Sequence, residues 1–268
     1  MLYTRWLMPT ANVVFAYLES WRKSVVIKAC IIIPVYNHHD AMREVSAKLK
    51  AYNIPCIFVD DGSHKQCQQQ LQAIVANEDW ITLIRQDPNQ GKGAAVCRGF
   101  HYAFEQGFTH ALQVDADGQH DLNDIPQFIA TAQNNPNAVI TGARVADGIS
   151  AARHYGRKLT DGLVWLQTLS FQIKDSMCGY RLYPLAATIN LLDQQLVGQR
   201  MDFDTDILVR LYWRKINIKQ ITTKVIYREG IPSHFDMLRD NIRITRMHTK
   251  LVLGMFIRLP ILIARKFQ

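Results

Sequence analysis

The chain has 268 residues, 48% of them apolar and 20% charged, with 31 lysines and arginines against 23 aspartates and glutamates for a net charge of +8. That length and apolar share exclude a disordered chain and a disulfide-stapled miniprotein, and suffice for one large domain with a full core. The basic balance suits phosphate-bearing substrates, an anionic membrane or nucleic acid alike, so the placement of the charge has to decide among them.

In chain order, residues 6–18 form an apolar stretch too short to span a bilayer and interrupted by Pro9 and Asn12. It reads as a short amphipathic helix packed on the domain or on a membrane surface. Strands are expected at 29–35, 55–60, 81–85, 111–114 and 138–142, with helices between them at 40–52, 65–77, 93–106 and 122–134. Short apolar runs alternating with helical patterns indicate an α/β fold, here a doubly wound nucleotide-binding unit with crevices at its strand ends. The second half is less regular: a helix at 154–173, a strand at 180–183, a helix at 203–213, strands within 216–228, and helix from Met237 onward. The five cysteines (Cys30, Cys56, Cys67, Cys97, Cys178) contain no Cys-x-x-Cys pair, which points to reduced thiols in a cytosolic compartment.

Four motifs fall at strand ends or loop-to-helix junctions. Asp115-Ala116-Asp117-Gly118-Gln119-His120 follows the fourth strand. In an extended segment positions i and i+2 face the same way, so Asp115 and Asp117 can meet one ion. Mg2+ or Mn2+ takes one or two carboxylates plus phosphate oxygens and water; an Asp-rich turn is the plainer alternative. Val59-Asp60-Asp61-Gly62-Ser63 ends the second strand, where an Asp can accept hydrogen bonds from a ribose or base edge or simply make a turn. Pro34-Val35-Tyr36-Asn37 ends the first, where Tyr36 could stack on a nucleobase or the Pro and Asn simply stop the strand. Asn89-Gln90-Gly91-Lys92-Gly93 opens the third helix. It is not a Walker loop, but its small residues allow close backbone approach and Lys92 can approach phosphate; an ordinary helix start is the alternative.

As an ordered set, Pro-x-Tyr-Asn, Val-Asp-Asp-Gly-Ser, Asn-x-Gly-Lys-Gly and Asp-x-Asp-Gly-Gln-His resemble glycosyltransferase family 2, in particular the polyprenyl-phosphate sugar synthases such as dolichyl-phosphate mannose synthase. The resemblance covers about residues 29–235. It implies a GT-A-type fold, a nucleotide-diphosphate sugar donor, a divalent metal and inversion at the anomeric carbon. It also implies that Pro34, Tyr36, Val59 and Asp61 hold the nucleoside, that Asp115, Ala116, Asp117 and Gln119 surround the metal and diphosphate, and that Arg144, Arg157 and Arg228 attend the phosphates. Ser176-Met177-Cys178-Gly179-Tyr180-Arg181 fits the family's acceptor-side motif. The chain departs from the family at His38, where Glu is usual, and at Ser233-His234, where Ser-Lys is usual.

The division that follows is an N-terminal helical extension at 1–26, a GT-A domain at 27–235 and a basic amphipathic extension at 236–268. The last carries Arg239, Arg243, Arg246, His248 and Lys250 ahead of apolar runs broken by Arg258. Basic and apolar residues together suit a helix lying in an anionic interface, peripheral on the cytoplasmic membrane; a basic helix packed on the domain is the alternative. No recognition-helix, zinc-finger or aromatic RNA-binding motif accompanies the charge, so nucleic acid is not an expected partner. Such an enzyme would transfer sugar to a lipid acceptor, either polyprenyl phosphate or a lipid hydroxyl. A hydroxyl acceptor needs a general base. In Phe203-Asp204-Thr205-Asp206 the expectation is that Asp206 faces the acceptor; helix capping by Asp202 or Asp204 with a solvated Asp206 is the alternative.

Overall fold

The computed structural model describes residues 26–145, 151–225 and 236–267. Apart from Val26, the expected N-terminal extension lies outside the described residues, as do Arg228 and Ser233-His234.

The strands are β1 (Ala29–Val35), β2 (Cys56–Asp61), β3 (Ile81–Gln86), β4 (His110–Gln113), β5 (Val139–Arg144), β6 (Arg181–Pro184) and β7 (Ile218–Thr223). The helices are α1 (His39–Leu49), α2 (Lys65–Val75), α3 (Lys92–Glu105), α4 (Ile125–Asn134), α5 (Ala151–Thr168), α6 (Leu185–Gln194), α7 (Phe203–Trp213) and α8 (Met237–Ala264). They build one seven-stranded sheet in the order β3-β2-β1-β4-β6-β5-β7. Its pairings are parallel except those of β6, which runs antiparallel to both β4 and β5.

The near-continuous apolar runs of β1 and β2 are buried on both faces, as central parallel strands require. Cys30, Ile32, Ile57 and Val59 point into one core with α3, α6 and α7. Ile31, Ile33, Cys56 and Phe58 point into a second core with α1, α2 and α4. Helix α3 lies unusually close to the sheet because of Gly99, where a Cβ would come within 2.6 Å of Ile32 Cγ2.

The chain leaves β1 for β2 on one side, then crosses from β3 back to β4 on the other. Helices α1 and α3 therefore cover opposite faces, and a crevice opens between the C-terminal ends of β1 and β4. Ligands of doubly wound sheets sit at such switch points.

Two features differ from the sequence expectation. Helix α6 was not expected, although Leu185, Thr188, Ile189 and Leu191 bury one side of it at helical spacing; the polar Thr188 on that side interrupts the apolar pattern. The expected strands over 216–228 reduce, among the described residues, to β7 and an isolated bridge between His120 and Val225. The C-terminal residues form one long helix. Its N-cap Asp236 accepts hydrogen bonds from the Leu238 and Arg239 amides at 3.1 and 2.8 Å. Met247, His248, Leu251 and Met255 bury its inner side. His248 Nδ1 lies 3.0 Å from Gln167 Nε2 of α5, and the Arg258 guanidinium stacks 4.6 Å over Trp213 of α7.

Candidate active site

The loops after β1 and β2 are stitched together at the crevice. Asn37, at φ +57°, donates its amide to Ser63 Oγ at 3.0 Å, and Asn37 Oδ1 accepts from the His64 amide at 3.0 Å. This fixes the turn that leaves Tyr36 half-buried at the end of β1. Pro34 and Val59 pair across β1 and β2, and both are buried. The Val59 side chain belongs to the core, so only its main chain faces the strand-end opening.

Asp61 ends β2 almost fully buried, with four donors on its carboxylate. Oδ1 accepts from Gln86 Nε2 at 2.6 Å and the Gln90 amide at 2.7 Å. Oδ2 accepts from Asn89 Nδ2 and the Gly91 amide, both at 2.8 Å. Charge-assisted bonds to main-chain amides are among the stronger contacts a carboxylate makes. Asp61 thereby shapes the whole 86–91 loop and sets where α3 begins. Neighbouring Asp60 turns to the Ser63 amide and to Arg85.

That start of α3 places Lys92 inside the crevice. Lys92 Nζ lies 2.7 Å from Asp115 Oδ1 and 2.9 Å from Asp204 Oδ2. Gln113 Nε2, fully buried, donates to Asp204 Oδ1 at 2.9 Å. His120 Nε2 stands 3.3 Å from Asp115 Oδ2, with its ring stacked on Tyr180 at 4.7 Å. Burial alone would pull the Lys92 ammonium down, but Asp115 and then Asp204 outweigh it and hold it well above its ordinary value. Burial would likewise raise Asp115; Lys92 and His120 hold its carboxyl far below the usual range. Gly179 packs directly on this cluster: a Cβ there would lie 2.8 Å from Lys92 Nζ and 3.1 Å from Asp115 Oδ2.

Asp206 does not join the cluster. Its Oδ1 accepts from Arg210 Nε at 2.6 Å and its Oδ2 from the Gly198 amide at 2.9 Å. The carboxylate that α7 presents to the crevice is Asp204, two positions earlier and so more than half a turn around the helix.

A second group of charges adjoins the first. Arg144, at the end of β5, grips Asp175 through Nε at 2.7 Å and Nη2 at 2.8 Å. The Arg144 guanidinium and, more weakly, Arg157 outweigh burial and lower the Asp175 carboxyl. Arg157, half-buried on α5, therefore stands in the field of the same carboxylate. Asp161, one turn along α5, accepts from both the amide and the hydroxyl of Ser176, at 3.1 and 3.0 Å. Fully buried Arg181 donates to Ser176 O at 2.6 Å, to Thr141 Oγ1 at 3.0 Å and to the carbonyl of Asp204. The 175–181 segment is thus pinned between α5, β5 and α7.

The donor set at the end of β4 fits a divalent cation. Asp115 Oδ1 is buried with the Lys92 ammonium beside it, and Asp117 is half-exposed. Asp117 Oδ1 accepts only the Gln119 amide among the described residues, at 3.0 Å, in the turn that Gly118 makes at φ +67°. Ala116 between them is buried in the core, and both aspartates follow β4 in a turn rather than in the extended segment expected. No group of three or more His, Cys, Asp or Glu side chains gathers among the described residues. Two carboxylates with the balance from phosphate and water suit Mg2+ or Mn2+.

A family model described as Glycosyl transferase family 2 matches residues 30–198. The chain belongs to glycosyltransferase family 2. Relatives of this glycosyltransferase include the UDP-N-acetylglucosamine–dolichyl-phosphate N-acetylglucosaminyltransferase of Methanococcus voltae, 26% identical over 74% of this chain and 86% of the relative. The dolichyl-phosphate beta-glucosyltransferase of Dictyostelium discoideum is 27% identical over 84% of this chain and 75% of the relative. Among solved structures, glucosyl-3-phosphoglycerate synthase from Mycobacterium tuberculosis, in complex with Mn2+, UDP and glucosyl-3-phosphoglycerate, superposes with a TM-score of 0.64 at 13% identity. It covers 95% of this chain and 88% of that one. The glycosyltransferase thus has the GT-A-type fold that its motifs implied.

Asp115, Asp117 and Lys92 stand in motifs legible from the sequence, but the Lys92–Asp204 link, Gln113, Asp161 and Asp175 do not. Nothing local marks these residues. Gln113 reads as a strand residue and Asp204 as a helix start, and only the approach of α7 to β4 gives them a role.

Proposed function

We propose that this glycosyltransferase moves a sugar from a nucleotide-diphosphate donor to a polyprenyl phosphate at the cytoplasmic membrane face, with inversion. The observation that carries the reading is the pair Asp115 and Asp117 at the switch-point end of β4, beside Lys92 and the Arg144–Asp175 pair. Curated relatives named for dolichyl-phosphate and undecaprenyl-phosphate sugar transfer support the acceptor class.

Pro34, Tyr36, the Val59 main chain and the Asp61-shaped loop would form the nucleoside wall. Asp115 and Asp117, with Gln119 at their turn, would hold Mg2+ or Mn2+, which offsets charge on the departing diphosphate when bound. Arg144, Arg157 and Arg228 would supply fixed positive charge for phosphate oxygens. A phosphate acceptor is already anionic and needs little help from a base. A lipid hydroxyl is the second reading, favoured by one observation: Asp204 puts a buried carboxylate into the crevice, where a general base would stand. In either case Asp204 replaces Asp206 as the acceptor-side carboxylate in our reading.

Helix α8 supports membrane contact. Its outer side exposes Leu253, Phe256, Ile257 and Ile261, with Arg246 and Lys250 exposed a few turns earlier. The stretch Met237–Phe267 is long and apolar enough by composition to cross a membrane. The docking of its inner side on the domain supports a peripheral position.

The test is a donor screen. UDP- and GDP-sugars are incubated with Mn2+ or Mg2+ and either polyprenyl phosphate or a neutral lipid extract. Lipid-linked product from polyprenyl phosphate, lost with EDTA and in Asp117→Ala, is the expected result. Product only from the neutral lipids would favour the hydroxyl reading, and no transfer or donor hydrolysis from any pair would remove the proposal. Flotation with phosphatidylglycerol vesicles tests the membrane contact. Binding should weaken with salt and in Phe256→Ser/Ile257→Ser.

A further inference from the structure

Lys92 is placed as no simple phosphate ligand would be. Its ammonium is shared by two carboxylates from separate elements, Asp115 after β4 and Asp204 on α7, at 2.7 and 2.9 Å. The side chain is only 20% exposed. Gly179 closes the space behind it, since even a Cβ there would come within 2.8 Å of Nζ. The ammonium touches Asp115 Oδ1, the buried oxygen that a divalent cation would take.

We propose that Lys92 is a positioning residue that competes with the divalent cation for Asp115, so that the cation enters with the donor's diphosphate rather than ahead of it. The inference rests on the metal reading given above. Two cations at one carboxylate oxygen repel strongly where that oxygen is buried. The free protein satisfies Asp115 with its own ammonium, which opposes metal binding. A diphosphate brings negative charge that offsets the repulsion. Asp204 gives the ammonium a second anchor, so Lys92 can surrender Asp115 without becoming a buried, unpaired charge. Metal and nucleotide affinities are then coupled, and the coupling is reciprocal.

The experiment measures Mn2+ binding to the full chain by the loss of the free-ion electron paramagnetic resonance signal, without nucleotide and with UDP. Wild type should bind Mn2+ weakly alone and much more tightly with UDP. Lys92→Met should bind Mn2+ alone about tenfold or more tighter than wild type, and gain less from UDP. Lys92→Arg, which keeps the charge, should behave as wild type. Lys92→Met/Asp204→Asn removes both partners of the pair and guards against misfolding of the single variant; it too should bind Mn2+ more tightly than wild type. A merely structural role for Lys92 predicts the opposite sign, weaker binding in the methionine variants, and that result or equal affinity overturns the inference while leaving the metal reading intact. Absence of Mn2+ binding in every protein, UDP included, overturns the metal reading and this inference with it.

Discussion

Asp204 and Asp206 stand two positions apart on α7 and serve opposite sides of it. Asp204 receives Lys92 and Gln113 within the crevice, whereas Asp206 receives Arg210 and the Gly198 amide of the loop before α7. Sequence spacing treats them as near equivalents, and the helix separates them. Asp204→Asn should lower transfer by about 100-fold or more if the carboxylate serves the acceptor. Asp206→Asn should leave turnover within a few-fold and cost about 3 kcal/mol of stability, since it breaks a buried pair. Steady-state kinetics and thermal melts of the two variants decide this; a reversed pattern would return Asp206 to the acceptor side.

The pH dependence of stability should show two opposite contributions. Burial, only partly offset by Arg210, raises the Asp206 carboxyl. Its contribution is full below the unfolded value of about 3.9 and is lost as pH rises through the higher folded value. Asp175 is lowered, its burial outweighed by Arg144. Its contribution is full above about pH 3.9 and is lost as pH falls through the lower folded value. The stability gap between wild type and Asp206→Asn should narrow with rising pH, and that between wild type and Asp175→Asn should narrow with falling pH. Chemical denaturation at several pH values measures both slopes.

Gly179→Ala tests the packing of the central cluster. The added methyl would meet Lys92 Nζ at 2.8 Å, Gln113 Nε2 at 3.0 Å and Asp115 Oδ2 at 3.1 Å. Lys92 has a flexible stem, but Gln113 is fully buried and cannot retreat. Activity should fall steeply while stability drops by about 1–3 kcal/mol, the usual cost of overpacking. Wild-type kinetics in this variant would mean that the cluster tolerates displacement.

Asp61→Asn should loosen the loop that starts α3. The amide cannot accept from four donors at once and places its own N–H groups against them. A loss of about 1–3 kcal/mol follows from donors left unpaired. Faster hydrogen exchange at the Gln90 and Gly91 amides, with weaker binding of a nucleoside diphosphate, would mark the effect. Unchanged exchange would show that the loop holds without Asp61.

The sequence by itself determined the nucleotide-binding half of this protein. The β-branched runs of β1 and β2, buried on both faces, could only be central strands, and the Gly-Lys-Gly start of α3 and the Asp-x-Asp turn after β4 were legible because their chemistry is local. The tertiary structure decided what no local pattern carries. It inserted β6 antiparallel beside β4, brought α7 against β4 across 91 positions between Gln113 and Asp204, and closed Gly179 over Lys92. It also turned Asp206 away from the crevice. A carboxylate's role depends on which charges other elements bring within a few ångströms of it, because burial and pairing set its chemistry. That neighbourhood exists only once the chain is folded.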